Sequence, residues 1–240
     1  MRHFTLFLLV LLVNTWNLYG QNHPFSFGVK VGTNLSNAVE ETNYAVVGNK
    51  KSKFGYQVGV TTEYNIDNSL YARTGLSLSS KGTIREGEEM WIGASNPPVT
   101  NWKKMTSQVY LQLPLTIGYK TSLSSLTKVK VNAGPYFAYG ITGKEIVKTK
   151  TTPSNAREDE KITNKTFNKN NNGYYSPYNL NRKDYGVVFG IGIQHKKIIW
   201  GLDYEIGLLN IYETDKTEIS PSPGKYKNRN LALIINYVFK

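Results

Sequence analysis

The chain has 240 residues, a mass of 27.1 kDa, a formal net charge of +12 and no cysteine. The missing cysteine excludes disulfide scaffolds, zinc ribbons and thiol nucleophiles. A mean hydropathy of −0.39, with one long apolar run confined to the first 20 residues, excludes a bundle of membrane helices, each of which needs about 20 such residues.

The first element is a leader. Arg2 precedes an apolar core from Phe4 to Val13, and Leu18-Tyr19-Gly20 sets up a cut before Gln21. The core is too short for a membrane span, so residues 1–20 read as a cleaved signal peptide and 21–240 as the mature domain, at a net charge of +11. No cysteine follows the core, which excludes a lipoprotein anchor.

Eight segments with a side-chain period of two follow, the signature of strands wet on one face and oily on the other. In the first, Phe25, Phe27, Val29, Val31 and Leu35 alternate with Ser26, Gly28, Lys30, Gly32 and Asn34. The second sets Phe54, Tyr56, Val58, Val60 and Tyr64 against Gly55, Gln57, Gly59, Thr61 and Glu63. The third, weaker, sets Leu70, Ala72, Leu76 and Leu78 against Tyr71, Arg73, Gly75 and Ser77. The fourth carries Val109 to Tyr119 against Tyr110 to Lys120, and the fifth Val129 to Ile141 against Lys130 to Gly140. Tyr185, Phe189, Ile191 and Ile193 mark the sixth; Trp200, Leu202, Tyr204 and Ile206, opposite Asp203 and Glu205, the seventh; Leu231 to Phe239 the last.

Each segment spans about 10 to 14 residues, beyond the usual 5 to 6 of soluble proteins and enough for a tilted membrane strand. Short turns at 66–69, 122–127 and 196–197 alternate with long loops at 37–52, 83–105, 144–183 and 211–225. Even strand number, short turns at one rim and long loops at the other predict an all-β, eight-stranded antiparallel up-and-down transmembrane barrel, with periplasmic turns and extracellular loops. Pro114 and Pro135 fall in mid-strand, and bulges are expected there.

The apolar face carries aromatics in two groups. Phe25, Phe27, Tyr64, Tyr119, Trp200, Tyr237 and Phe239 lie toward the short turns; Phe54, Tyr56, Phe137, Tyr139 and Tyr185 lie toward the long loops. These are the expected lipid-interface girdles. The opposite face supplies Lys30, Glu63, Arg73, Lys120, Lys130, Asp203 and Glu205, expected to pair inside a barrel just wide enough for side chains.

No catalytic constellation is visible. His195 falls beside the Lys196-Lys197 turn without an adjacent serine, and His23 lies in the tail. No Cys/His cluster has metal-ligand spacing, and Gly190-x-Gly192 precedes no helix, so no metal, cofactor or enzyme activity is expected. Residues 144–183 hold nine basic and four acidic residues and an Asn-rich run, suited to an anionic lipopolysaccharide surface. No recognition helix accompanies the charge, so nucleic acid is not an expected partner.

Several segments resemble the PorT-like outer-membrane β-barrel family. They are Phe27-Gly28-Val29-Lys30-Val31-Gly32-Thr33-Asn34-Leu35-Ser36, Tyr110-Leu111-Gln112-Leu113-Pro114-Leu115, Ala133-Gly134-Pro135-Tyr136, Asp184-Tyr185-Gly186, Tyr204-Glu205-Ile206-Gly207-Leu208 and Asn236-Tyr237-Val238-Phe239. The resemblance implies an outer-membrane barrel whose terminal aromatic, here Phe239 followed by Lys240, is read by the barrel-assembly machinery. The family's namesake is tied to a secretion system; no residue motif carries that role over, and an accessory place in a PorT-type secretion system is kept as an alternative. The readings kept open are a structural or interaction role with envelope proteins, a small porin, and a soluble lipocalin-like barrel with its apolar face inward.

Overall fold

The computed structural model describes residues 24–41, 48–90, 98–152, 160–167, 179–213 and 225–239; the expected signal peptide, residues 1–20, lies outside them. The strands are β1 (Phe25–Glu41), β2 (Gly48–Asn65), β3 (Leu70–Met90), β4 (Val99–Ser122), β5 (Thr127–Thr152), β6 (Glu160–Lys165), β7 (Asn179–Leu180), β8 (Lys183–His195), β9 (Ile198–Gly207), β10 (Tyr212–Glu213) and β11 (Lys225–Phe239). Eight of them close a ring in the order β1-β2-β3-β4-β5-β8-β9-β11, each antiparallel to its neighbours, with β11 returning to β1. The closing seam runs without a register shift from Phe27 opposite Phe239 to Glu41 opposite Lys225. A ring has no edge, so the spanning part exposes no unpaired ladder.

Face assignment follows from the period of two. The apolar set points out: Val31, Val60, Ile117, Ile191 and Leu233 are all exposed. The polar set points in: Asn34, Gln57, Gln112, Asn230 and Asn236 are buried. This is the reverse of a lipocalin-like arrangement.

The short turns fall where the pattern stops. In the β2–β3 turn, Asp67 Oδ1 accepts from the amides of Ser69 and Leu70, both at 2.6 Å. Those two backbone bonds hold its carboxyl below the usual range. The β8–β9 turn consists of Lys196 and Lys197.

Three expectations need correction. The strands are not uniformly 10 to 14 residues: β3, β4 and β5 have 21, 24 and 26. The expected loops at 37–52, 83–105 and 144–183 are therefore largely strand at their ends. The ladder continues past the oily belt because hydrogen bonding between strands does not require an apolar face; the alternation that marks a strand in sequence fades once both faces meet water. The prolines produce no bulge. Register is unchanged on both sides of Pro114, from Leu111–Tyr139 to Ile117–Ala133, and Pro135 pairs in register with Val187. The missing donor interrupts the ladder locally instead: pairing on β3 skips from Thr74 to Ser77, and Thr74 Oγ1 donates to the Pro114 carbonyl at 2.9 Å. The register shifts lie elsewhere, between Ser52 and Gln57 and between Val109 and Tyr110.

Above the belt β5 exchanges partners. Its lower half pairs with β8, and Lys144 to Thr149 pair with β6. The result is a one-sided sheet extension, β2-β3-β4-β5-β6, standing on the long-loop rim. Opposite it, β7 and β10 form a two-stranded ribbon. Ala38, Leu180, Ile211 and Tyr226 make a small apolar cluster there, with Phe167 packed against it.

Lys196 has φ of 53°. A left-handed conformation costs a non-glycine residue about 1 kcal/mol. Lys196→Gly should therefore raise the urea midpoint of the folded protein in vesicles, by about 0.5 kcal/mol or more in stability. Lys197→Gly, where φ is ordinary, should not.

Candidate functional site

The lumen is built as a stack of ion pairs separated by tyrosines. At the short-turn end Lys130 Nζ meets both carboxylate oxygens of Glu63, at 2.6 and 2.5 Å. Lys120 donates to Asn65. The Tyr71 ring lies under Lys130, 4.4 Å from its nitrogen, and the Tyr71 hydroxyl donates to the Val131 carbonyl. Gly118 makes room for this ring, since a Cβ there would overlap it.

In the middle, Arg73 stands 3.7 Å from Asp203 and donates to Asn132 at 3.0 Å. Lys30 is buried here with no carboxylate in ion-pair range among the described residues. Above lies Glu205, which pairs with Lys81 at 2.7 Å and accepts from Gln112 at 2.6 Å and Asn230 at 3.2 Å. Lys81 Nζ sits 4.6 Å from the centre of the Tyr136 ring. Tyr136 and Asn228 both donate to Asp184, at 3.3 and 2.9 Å. Tyr71, Tyr110 and Tyr136 are each fully buried, at 0% exposure.

The long-loop mouth is covered. Phe167 packs edge-on against Tyr110, with Arg182 stacked 5.3 Å from its ring centre. Arg182 in turn donates to the carbonyls of Gly140 and Ile141. Gly140 admits the Phe167 ring, because any Cβ there would overlap it. Two further ion pairs, Arg85–Glu40 and Lys104–Glu145, both at 2.7 Å, stand on the inner face of the rim. The lumenal voids are small: about 110 Å³ at the short-turn end beside Glu63 and Lys130, and about 20 Å³ beside Lys30 and Asp203. The second is close to the space of one water.

All seven charges expected inside are lumenal, and the structure brings six of them into ionic or hydrogen-bonded contact. Alternation carried four residues beyond Ser77 and two before Gly186 would have found Lys81 and Asp184, which share the inward parity of Tyr71 and Gly186. Lys81 follows the last apolar residue of its segment and Asp184 precedes the first of its own, so neither stood between apolar markers. The twelve expected interface aromatics all point outward and are exposed, from Tyr237 at 41% to Phe54 at 78%. His195 Nδ1 contacts Thr127 Oγ1 at 3.0 Å, outside the lumen.

On the outer face of the sheet extension, Glu86 lies between Lys51 and Lys103, each at 2.5 Å. Hydrogen bonds from Lys103 and Lys51 hold its carboxyl at about 2, well below the usual range. The group is half-buried at the surface and its lysines are open to solvent, so salt screens this pairing. A groove of about 880 Å³ opens beside it, bordered by Lys103, Lys148, Lys150 and Lys161.

Residues 19–213 match the family described as outer membrane protein beta-barrel domain, and the chain belongs to that family. No curated protein matches the sequence. Among solved structures, Ail, the attachment invasion locus protein of Yersinia pestis, is similar at 11% identity and a TM-score of 0.37, over 91% of this chain and 100% of that one. Neisserial surface protein A is similar at 11% identity and 0.38, over 89% and 97%. OprG from Pseudomonas aeruginosa is similar at 9% and 0.39, over 92% and 98%. The family match, and not these distant likenesses, places the chain as an outer-membrane β-barrel.

The Lys81–Glu205 pair gives a direct test of the lumenal stack. Lys81→Met leaves the Glu205 carboxylate buried without its cation and should cost about 3–5 kcal/mol. The double variant Lys81→Met/Glu205→Gln removes both charges and should cost less than the single one, as measured by urea unfolding in phospholipid vesicles.

Proposed function

We propose that this outer-membrane barrel is a non-conducting scaffold that displays its strand extension and loops at the cell surface for interaction, and that it performs no catalysis. The observation carrying this reading is the filled lumen. Three buried tyrosines and successive ion pairs occupy the bore, and Phe167 with Arg182 covers its mouth. An ion would have to displace paired charges from a low-dielectric interior, which costs several kcal/mol per ion.

In this reading the outward aromatics seat the barrel in lipid: Phe25, Phe27, Tyr64, Tyr119, Trp200, Tyr237 and Phe239 at the periplasmic interface, and Phe54, Tyr56, Phe137, Tyr139 and Tyr185 at the outer one. The partners are membrane lipid and lipopolysaccharide outside, the barrel-assembly machinery during insertion, and other envelope proteins on the extension. The leader supports export to this site. The motifs from Phe27 to Ser36 and from Tyr110 to Leu115 support a PorT-like position within the broader family; an accessory role in secretion is an alternative that no residue motif defines.

Planar-bilayer recordings test the scaffold reading. The folded protein should give no steady open level at moderate voltage. A reproducible unitary conductance would favour a small porin instead.

A further inference from the structure

The strand extension carries an arrangement of charge that the barrel does not need. Register places Asn49, Glu86, Lys103, Lys148 and Lys161 opposite one another across five consecutive strands. Opposed residues on one sheet face are about 4.5–5.5 Å apart at Cβ, and like charges so placed are destabilising. Glu86 offsets only the near end of this row, through Lys103 and the adjoining Lys51. Lys148 and Lys161 face each other, and Lys150 follows two residues along on the same face. None of these three has an ion pair among the described residues. All of them border the groove of about 880 Å³, a volume in the range of small-ligand sites.

The row lies on the lipid side of the sheet. Lys103 and Leu111 share the odd parity of β4, which is regular between them; the extra residue at the neighbouring shift, Ile141, belongs to β5. Lys103 is thus the upward continuation of the face that meets acyl chains. Seven residues separate Ile141 from Lys148, which at about 3.3 Å per residue and a tilt near 40° is a height of roughly 18 Å above the belt. A face at that height, turned sideways over the membrane, meets the headgroup layer first. A soluble protein is kept from it by the same layer.

We infer that this groove binds the anionic saccharide headgroup of the outer-leaflet glycolipid, with Lys103, Lys148, Lys150 and Lys161 taking its phosphate or carboxylate groups. Lysines act as point charges toward phosphate, and an anion bridging the row cancels the repulsion between them. The inference rests on the membrane seating proposed above and names one of its partners.

The test uses the full mature protein in phosphatidylcholine nanodiscs, titrated with a phosphorylated outer-membrane oligosaccharide freed of its acyl chains. Binding should weaken at least 10-fold when the oligosaccharide is dephosphorylated, and at least 10-fold in Lys103→Gln/Lys148→Gln/Lys161→Gln. A charge-matched control at the opposite rim, Lys128→Gln/Lys196→Gln/Lys197→Gln, should change it less than 2-fold. The triple variant should fold, since it removes like-charge contacts; Lys148→Gln alone, expected to weaken binding about 3-fold, covers the case where it does not. Equal weakening by the control, equal binding of the dephosphorylated sugar, displacement by inorganic phosphate at matching concentration, or tighter binding of an acidic peptide would each overturn the assignment. A chain that fails to insert into nanodiscs defeats the membrane seating; a chain that inserts and does not bind defeats this site alone.

Discussion

Backbone hydrogen bonding in a solvent without water is the constraint on which the structure depends. An unpaired amide in hydrocarbon costs several kcal/mol, so strands can cross a bilayer only if the sheet has no edge. The seam between β1 and β11 meets that demand, and the even strand count keeps every junction antiparallel. Closure then fixes everything inside. An eight-stranded bore is just wide enough for side chains, so the inward residues must satisfy one another. Lys130 with Glu63, Arg73 with Asp203 and Lys81 with Glu205 do so at successive heights, and Tyr71 and Tyr136 lie against the lysines between them. The same packing that stabilises the barrel fills its bore, and the proposed surface role rests on that.

Outside the bilayer the constraint relaxes, and the ring opens into a one-sided sheet. β5 can take β8 as partner below and β6 above because water satisfies what the ladder leaves free. The extension keeps the two faces of the barrel strands. Its inner face continues the paired polar lumen through Arg85–Glu40 and Lys104–Glu145. Its outer face continues the lipid-facing stripe, with lysines where the barrel has leucines. That change from Leu111 to Lys103 along one strand records the passage from acyl chains to headgroups.

The barrel was legible in the sequence because lipid imposes a strict period of two, and one face assignment placed Lys30, Glu63, Arg73 and Glu205 inside together. The partners of those charges were not legible, since pairing depends on heights across the ring: Lys130 finds Glu63 across 67 positions. Lys81 and Asp184 escaped because they lie just past the apolar markers that define a segment. The extension escaped for a related reason. From Lys144 to Thr152 the adjacent Ile146 and Val147 fall on opposite faces and the rest is polar, so nothing in the pattern separates a wet strand from a loop. Pro114 and Pro135 misled in the opposite direction: the missing donor suggested a bulge, whereas each of the two ladders of β4 loses two pairs locally and keeps its register.

The claim beneath all of this is that the oily stripe faces lipid and the charges face each other. The chain has no cysteine of its own, so single cysteines can be placed and spin-labelled one at a time in vesicles. Labels at Leu113→Cys and Leu233→Cys should be readily quenched by oxygen dissolved in the acyl chains, and labels at the adjacent Gln112→Cys and Ala232→Cys should not. The opposite alternation, or none, would contradict the account.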